Sequence, residues 1–390
     1  MMRRILVFSL FVFLCSCSGR TEQDVFVFDP SKDYPEFPLS LTDVADVRFV
    51  KFGGEEEDIY YSTFWDSGMC IDDTNNKIIA SHWNLGVVEF DMDGNFLRRI
   101  GRLGRGPGEY QTTFFYVNPD DERVGVVDIS QEKIMVFNYE GTFLKDEEMK
   151  VRIMPASFNT FQVLNGSLIV YNPGSSVFDE DQGRVYSRSK RTLELIPLTG
   201  KKRDEIKDIH YEKPLVRPRQ WPGGGNGIMM NGYLIPSYSG LLMSTYRCDT
   251  TYVIDKDFSW KPFLVNTRHN GVQEGCLYPV AETRDYLFLC HKNNLRDAKM
   301  FYFAIDKRTK QAYKITEDES NPLPGCLQGK IQIRNEGLTK TSEYRFWEFH
   351  SFELMEYYDY LPPELKVLVD QCDESSNPIY MIIKFKTVAR

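Results

Sequence analysis

Histidine is scarce in this chain: five in 390 residues, at His82, His210, His269, His291 and His350, none of them in an H-E-x-x-H or H-x-H pattern. Beyond Cys17 the cysteines stand at Cys70, Cys248, Cys276, Cys290, Cys326 and Cys372, with no C-x-x-C or other metal-ligand spacing. Local spacing therefore offers no metal centre, although a fold that brings separate segments to one axis can assemble ligands that no short motif reveals. The G-x-S-x-G nucleophile elbow is missing as well, and Ser237-Tyr238-Ser239-Gly240 falls short of it. No catalytic residues are assigned. Basic charge is in deficit, with 47 Lys and Arg against 56 Asp and Glu, a formal −9. Such a surface repels nucleic acid and anionic headgroups, so no nucleic acid is expected among the partners.

What the chain does have is a regular spacing of glycine and aromatics. The stretch Glu89 to Arg98, EFDMDGNFLR, returns as Val136 to Lys145, VFNYEGTFLK, and Phe90/Phe137, Gly94/Gly141, Phe96/Phe143 and Leu97/Leu144 are each 47 residues apart. In each copy a strand ends at the aromatic, a tight turn reaches the glycine and a second strand follows. A repeat of that length is what one blade of a β-propeller leaves in a sequence. The expected fold class is all-β, with a single propeller domain over residues 41–390.

The blades follow in order. Blade one is expected over Met69–Asp72, Ile78–Ala80, Val87–Phe90 and the hairpin to Ile100, and blade two over Phe115–Asn118, Val124–Asp128, Lys133–Phe137 and Thr142–Asp146. Phe161–Tyr171, with its Asn165-Gly166 turn, and Val185–Ile196 suit a third. Tyr233–Asp255, Asp285–Ile315 and Ile331–Tyr360 suit three more, the last with some helical character. Leu41–Phe52 reads as a strand, Leu361–Asp370 as a short helix with Pro at its start, and Pro378–Lys386 as a closing strand that spares an open edge.

At the N-terminus, Arg3 and Arg4 precede the apolar run Ile5–Leu14, which is too short to span a bilayer and reads as a secretion signal over residues 1–16. Leu14-Cys15-Ser16-Cys17 resembles a bacterial lipobox. That resemblance implies acylation at Cys17, a mature charge of −11 after loss of the two arginines, and a tether over residues 17–40. Ser18 rather than Asp follows, which by analogy with Gram-negative lipoproteins implies the outer membrane. An exported chain with six further cysteines permits a disulfide, its pair left open, while Cys70 and Cys290 in their apolar strand-like runs equally suit buried thiols.

A wider resemblance rests on G-x-x-G-x-G-P-G-E-Y at Gly101–Tyr110, on Leu39–Asp46 (LSLTDVAD), and on Asn377-Pro378-Ile379-Tyr380 with Lys384-Phe385-Lys386. Together these resemble the six-bladed β-propeller lipoproteins of Gram-negative gut-type bacteria, related to NHL-repeat propellers. The resemblance implies six four-stranded antiparallel blades, with the ring closed by the C-terminal strand.

Candidate sites are few. The glycine-rich Gly101, Gly104, Gly106 and Gly108 lack the G-x-G-x-x-G and Walker patterns, since Glu109, Pro107 and Gly108 stand at the wrong places, so we read a structural inter-blade loop pinned by Glu109 and Tyr110. Glu89, Asp91 and Asp93 before Gly94 imitate the start of a calcium loop, but Ile100 stands where a bidentate glutamate would be needed. Ligand contacts are expected from His82 and Trp83 between two strands, and from Arg217, Arg219 and Trp221 in VRPRQWPGGGNG, a flexible loop suited to a channel mouth. The functional expectation is a lipid-anchored binding module for a glycan, a peptide or an envelope protein. The alternatives are a lyase or hydrolase with a metal on the propeller axis, or a structural subunit of an envelope complex. No cofactor is assigned.

Overall fold

The computed structural model describes residues 25–53, 68–82, 84–148, 161–172, 176–179, 184–187, 191–197, 204–209, 219–220, 226–227, 232–245, 249–268, 276–292, 299–333, 341–373 and 376–386. Three elements open it: strand β1 (Phe26–Phe28), helix α1 (Leu41–Val44) and strand β2 (Ala45–Lys51). Blade I is β3 (Met69–Asp72), β4 (Lys77–His82), β5 (Gly86–Asp91) and β6 (Phe96–Ile100). A loop with the two-residue strands β7 (Arg102–Leu103) and β8 (Glu109–Tyr110) leads to blade II, made of β9 (Phe114–Asn118), β10 (Arg123–Asp128), β11 (Lys133–Asn138) and β12 (Phe143–Glu148). Blade III is β13 (Phe161–Leu164), β14 (Ser167–Asn172), β17 (Arg191–Pro197) and β18 (Asp204–Ile209), interrupted by the separate hairpin of β15 (Ser176–Asp179) and β16 (Arg184–Ser187). After the short pair β19 (Arg219–Gln220) and β20 (Asn226–Gly227), blade IV is β21 (Gly232–Ser237), β22 (Gly240–Thr245), β23 (Thr250–Ile254) and β24 (Trp260–Asn266), with β1 added outside β24. Blade V is β25 (Cys276–Glu282), β26 (Tyr286–Lys292), β27 (Met300–Asp306) and β28 (Ala312–Ile315). A terminal sheet of three strands, in the order β2-β30-β29, joins β29 (Tyr344–Phe349) and β30 (Ile379–Phe385) to β2. Helices α2 (Ser351–Glu356) and α3 (Pro363–Val369) fill the connection between β29 and β30.

The molecule is mainly β, with a propeller arrangement of five blades among the described residues. Six four-stranded blades were the expectation, and the difference lies in the terminal sheet, which has three described strands. Three other expectations are corrected by packing. Residues 41–44 of the first expected strand form a helical turn, because the Asp43 carboxylate accepts both the Ser40 N–H and the Ser40 hydroxyl at its start. The tether read through Ser40 joins the body from Val25 onward, since Phe28 and Phe37 are buried against blades IV and V. Residues 185–187, the start of the Val185–Ile196 stretch expected in the third blade, pair with the neighbouring hairpin strand instead. No disulfide joins the described cysteines Cys70, Cys276, Cys290, Cys326 and Cys372 to one another, and Cys248 lies outside the described residues.

The core occupies the seams between sheets, where apolar area removed from water is worth roughly 25 cal/mol per Å². Ile79 and Tyr110 meet Val126 and Phe137 between blades I and II. Val136 meets Phe161 and Leu168 in the next seam, and Ile169 and Tyr171 meet Leu234 and Met243 in the one after. Phe263 packs with Leu287 and Phe303 between IV and V. The terminal sheet packs on both sides, with Met381 and Ile383 toward Phe288 and with Tyr380 and Ile382 toward Ile71 and Phe90.

The repeated turn glycines now have a second reason. Gly94 and Gly141 adopt φ of +91° and +78°, and a Cβ at either would lie 2.5 and 2.6 Å from the carbonyl oxygens of Lys51 and Arg99. Each glycine turn thus docks on the outer strand of the preceding sheet, where only a hydrogen fits.

The N-terminal segment runs as a belt along outer strands. β1 pairs parallel with β24, and Pro35 and Phe37 exchange backbone bonds with Lys314 of β28. β2 then pairs antiparallel with β30 over its whole length, and Gly53 bridges to Asn95 beside β6. Edges that would otherwise be exposed to other chains are covered.

Candidate functional site

The glycine-rich loop folds onto its own glutamate. The Glu109 carboxylate accepts the Gly106 N–H at 2.8 Å, the Gly104 N–H donates to the Tyr110 carbonyl at 2.8 Å, and a Cβ on Gly104 would strike the same carboxylate. Tyr110 is fully buried; its hydroxyl accepts the Val87 N–H at 2.8 Å and donates to the Ile100 carbonyl at 2.7 Å. Burial pushes this phenol well above its usual range. The amides of the loop are therefore turned to internal partners rather than toward an anion. At the Asp91 turn the carboxylate likewise takes the N–H groups of Asp93 and Asn95.

Of the five ligand-contact residues expected from sequence, only His82 has a described side chain. It ends β4, is buried, and its Nδ1 accepts the Asn84 N–H at 3.2 Å, while burial lowers its pKa. Trp83, Arg217 and Trp221 lie outside the described residues, and Arg219 is described only as backbone of β19.

A pocket of about 450 Å³ opens between blades III and IV at the end of the sheets that carries the 238–239 and 255–259 turns. Val163 and Leu164 of β13 and Pro236 and Leu241 of blade IV form its apolar wall, while the 237–239 and 255–257 turns and Ser342 form the polar rim. The wall is built by the strands, and the rim is fixed by hydrogen bonds. Ser237 Oγ donates to the Gly240 carbonyl at 2.8 Å, and Asn165 Nδ2 of the blade III hairpin donates to the Lys256 carbonyl at 3.2 Å. The Ser239 N–H and hydroxyl donate to the two oxygens of Glu282 at 2.8 and 2.6 Å. Glu282 is fully buried and paired with Lys307, whose ammonium lies 4.9 Å from the centre of the Tyr238 ring. Tyr238 itself is 62% exposed. Tyr238 is thus a bulky aromatic left in water at the pocket rim, with the ammonium of the Glu282–Lys307 pair against its ring.

Behind the pocket lies Arg345, completely buried in β29. Its Nε donates to the Val280 carbonyl at 2.6 Å, Nη2 to Pro236 at 3.2 Å, and Nη1 to Tyr344, Thr341 and Ser342 at 2.5, 3.1 and 3.4 Å. Every one of these acceptors is a main-chain carbonyl, and among the described residues no carboxylate pairs with it. Burial pulls its pKa down to about 9, still high enough for it to be a cation at neutral pH. The side chain thereby fastens β21, β25 and β29 together, and two of its acceptor residues, Pro236 and Ser342, line the pocket.

Sequence reasoning missed Tyr238, Glu282, Lys307 and Arg345. The only signal was the Ser-Tyr-Ser-Gly turn, weighed as a failed nucleophile elbow. Among the described residues no three His, Cys, Asp or Glu side chains cluster as a metal site.

Comparison with known proteins gives a family and a fold. A family model described as "Domain of unknown function (DUF4934)" matches residues 71–384. No curated protein matches. Among solved structures, a candidate exported protein from Bacteroides fragilis NCTC 9343 is 16% identical with a TM-score of 0.59, over 93% of this chain and all of the other. A member of the DUF4221 family from Bacteroides vulgatus is 13% identical with a TM-score of 0.50, over 88% of this chain and 99% of the other.

Proposed function

This chain belongs to the DUF4934 family, and we propose that it is an exported, lipid-anchored propeller that binds a ligand at the pocket between blades III and IV. The observation that carries this reading is Tyr238, exposed at the rim yet braced by the buried Glu282–Lys307 pair. The rim chemistry of an aromatic, hydroxyls and the exposed Asp257 carboxylate suits a glycan, a peptide or a loop of an envelope protein. Acylation at Cys17 and an outer-membrane address follow from the lipobox resemblance, and the likeness to an exported Bacteroides protein agrees with them. We further read the terminal sheet as a sixth, NHL-like blade that closes the ring. The pairing of β2 with β30 and the packing of that sheet on both blades V and I support this.

The test is a binding screen of the mature chain on glycan and peptide arrays, repeated with Tyr238→Ala. Loss of at least tenfold in affinity for any hit, at unchanged thermal stability, is the expected result. Hits that bind the variant equally well would sink the pocket assignment.

A further inference from the structure

The belt also fixes which side of the molecule faces its anchor. β1 runs parallel to β24, Phe26 opposite Leu264 and Phe28 opposite Asn266. It therefore enters blade IV from the end at Trp260, the end that bears the 255–259 turn. Asp255, Lys256 and Asp257 of that turn form part of the pocket rim. Seven residues, 18–24, separate Cys17 from Val25, and the eight Cα steps span at most roughly 29 Å. The outer side of β1 leaves Val25 and Val27 exposed at 42% and 68%, an apolar face on the strand next to the anchor. Two sheets stand between blade I and blade IV in either direction around the seams. Helix α2 precedes β30, whose other end brings Lys384 to Asp73 on the β3–β4 turn, so α2 lies at the end of the sheets away from that turn.

We infer that the edge formed by β1 and the 255–259 turn is the membrane-apposed edge, which holds the pocket mouth within a short tether's reach of the lipid headgroups. This rests on acylation at Cys17. The pocket then samples molecules presented at the bilayer surface before those in bulk solvent, because ligand and site share one surface.

The experiment is energy transfer to a headgroup dye in liposomes, using a fluorescent amino acid placed singly at Asp257, at Asp93 on the β5–β6 turn, and at Glu356 in α2. Mass spectrometry of the protein from a Gram-negative host reads the acylation directly. In parallel, a mature chain carrying Cys372→Ser and Cys248→Ser is coupled through Cys17 to a maleimide lipid, which imposes the anchor chemically. Transfer at least twofold stronger from position 257 than from 93 and 356 is expected in both preparations. Equal transfer, or stronger transfer from 93 or 356 in the coupled chain, overturns the orientation. An unacylated Cys17 with the expected ranking in the coupled chain would fail the lipidation reading while the geometry stands.

Discussion

At the scale of single residues, buried polar groups do two different jobs. Arg345 holds main-chain carbonyls from three strands, so Arg345→Met should leave acceptors without donors and lower stability by about 2–3 kcal/mol, partly offset by removal of a desolvated charge. Urea denaturation measures this, and an unchanged midpoint would show that the guanidinium is not needed there. Buried His82 and half-buried His291 act through pH. Burial lowers the pKa of both His82 and His291 below the usual 6.5. The unfolded chain therefore takes up protons near pH 6.5 while the folded one resists. Stability is complete above that value and falls as pH drops through it toward the folded values. The urea midpoint should decline between pH 7.5 and pH 5.5, and the double variant His82→Asn, His291→Asn should flatten that slope even where it lowers the midpoint overall.

At the scale of elements, the docked glycine turn makes its own prediction. Gly141→Ala meets both a positive φ and the Arg99 carbonyl, whereas Gly166→Ala at φ +68° meets nothing within 4 Å. The first should lose about 2–4 kcal/mol and the second about 1 kcal/mol. Equal losses in thermal unfolding would mean that the turn does not rest on blade I. The same contact explains why blades I and II were legible: a glycine required twice over, next to an aromatic that fills the seam, leaves a repeat that point-by-point propensity does not. Blade III blurred because an extra hairpin, β15–β16, separates its second and third strands. β1 was hidden because its three residues sit in a polar, proline-containing stretch and become a strand only by pairing with β24, more than 200 residues away. Helix α1 is four residues long and set by its cap, below the reach of any periodicity. The pocket was illegible for a related reason: Tyr238, Glu282, Lys307 and Arg345 come from separate segments, and no spacing along the chain records their meeting.

At the scale of the whole molecule, the fold depends on contacts between the two ends of the chain. β30 lies between β2 and β29 and supplies backbone partners to both. A chain ending at Asn377 should lose the terminal sheet, bind a hydrophobic dye and show no single cooperative transition in calorimetry. A sharp transition near the parent temperature would refute that dependence. Pairings so distant in sequence also form late, which sets folding toward the slow end for a chain of this size.

The parallel register of β1 on β24 has a mechanical consequence. A force applied upstream of Val25 acts along the strand axis, so Phe26, Val27 and Phe28 resist it together in shear, and the Phe28 ring wedged against Phe303 resists with them. An antiparallel strand peeled from its end would yield one residue at a time. A pull along that axis must therefore break all three pairings of the strand together.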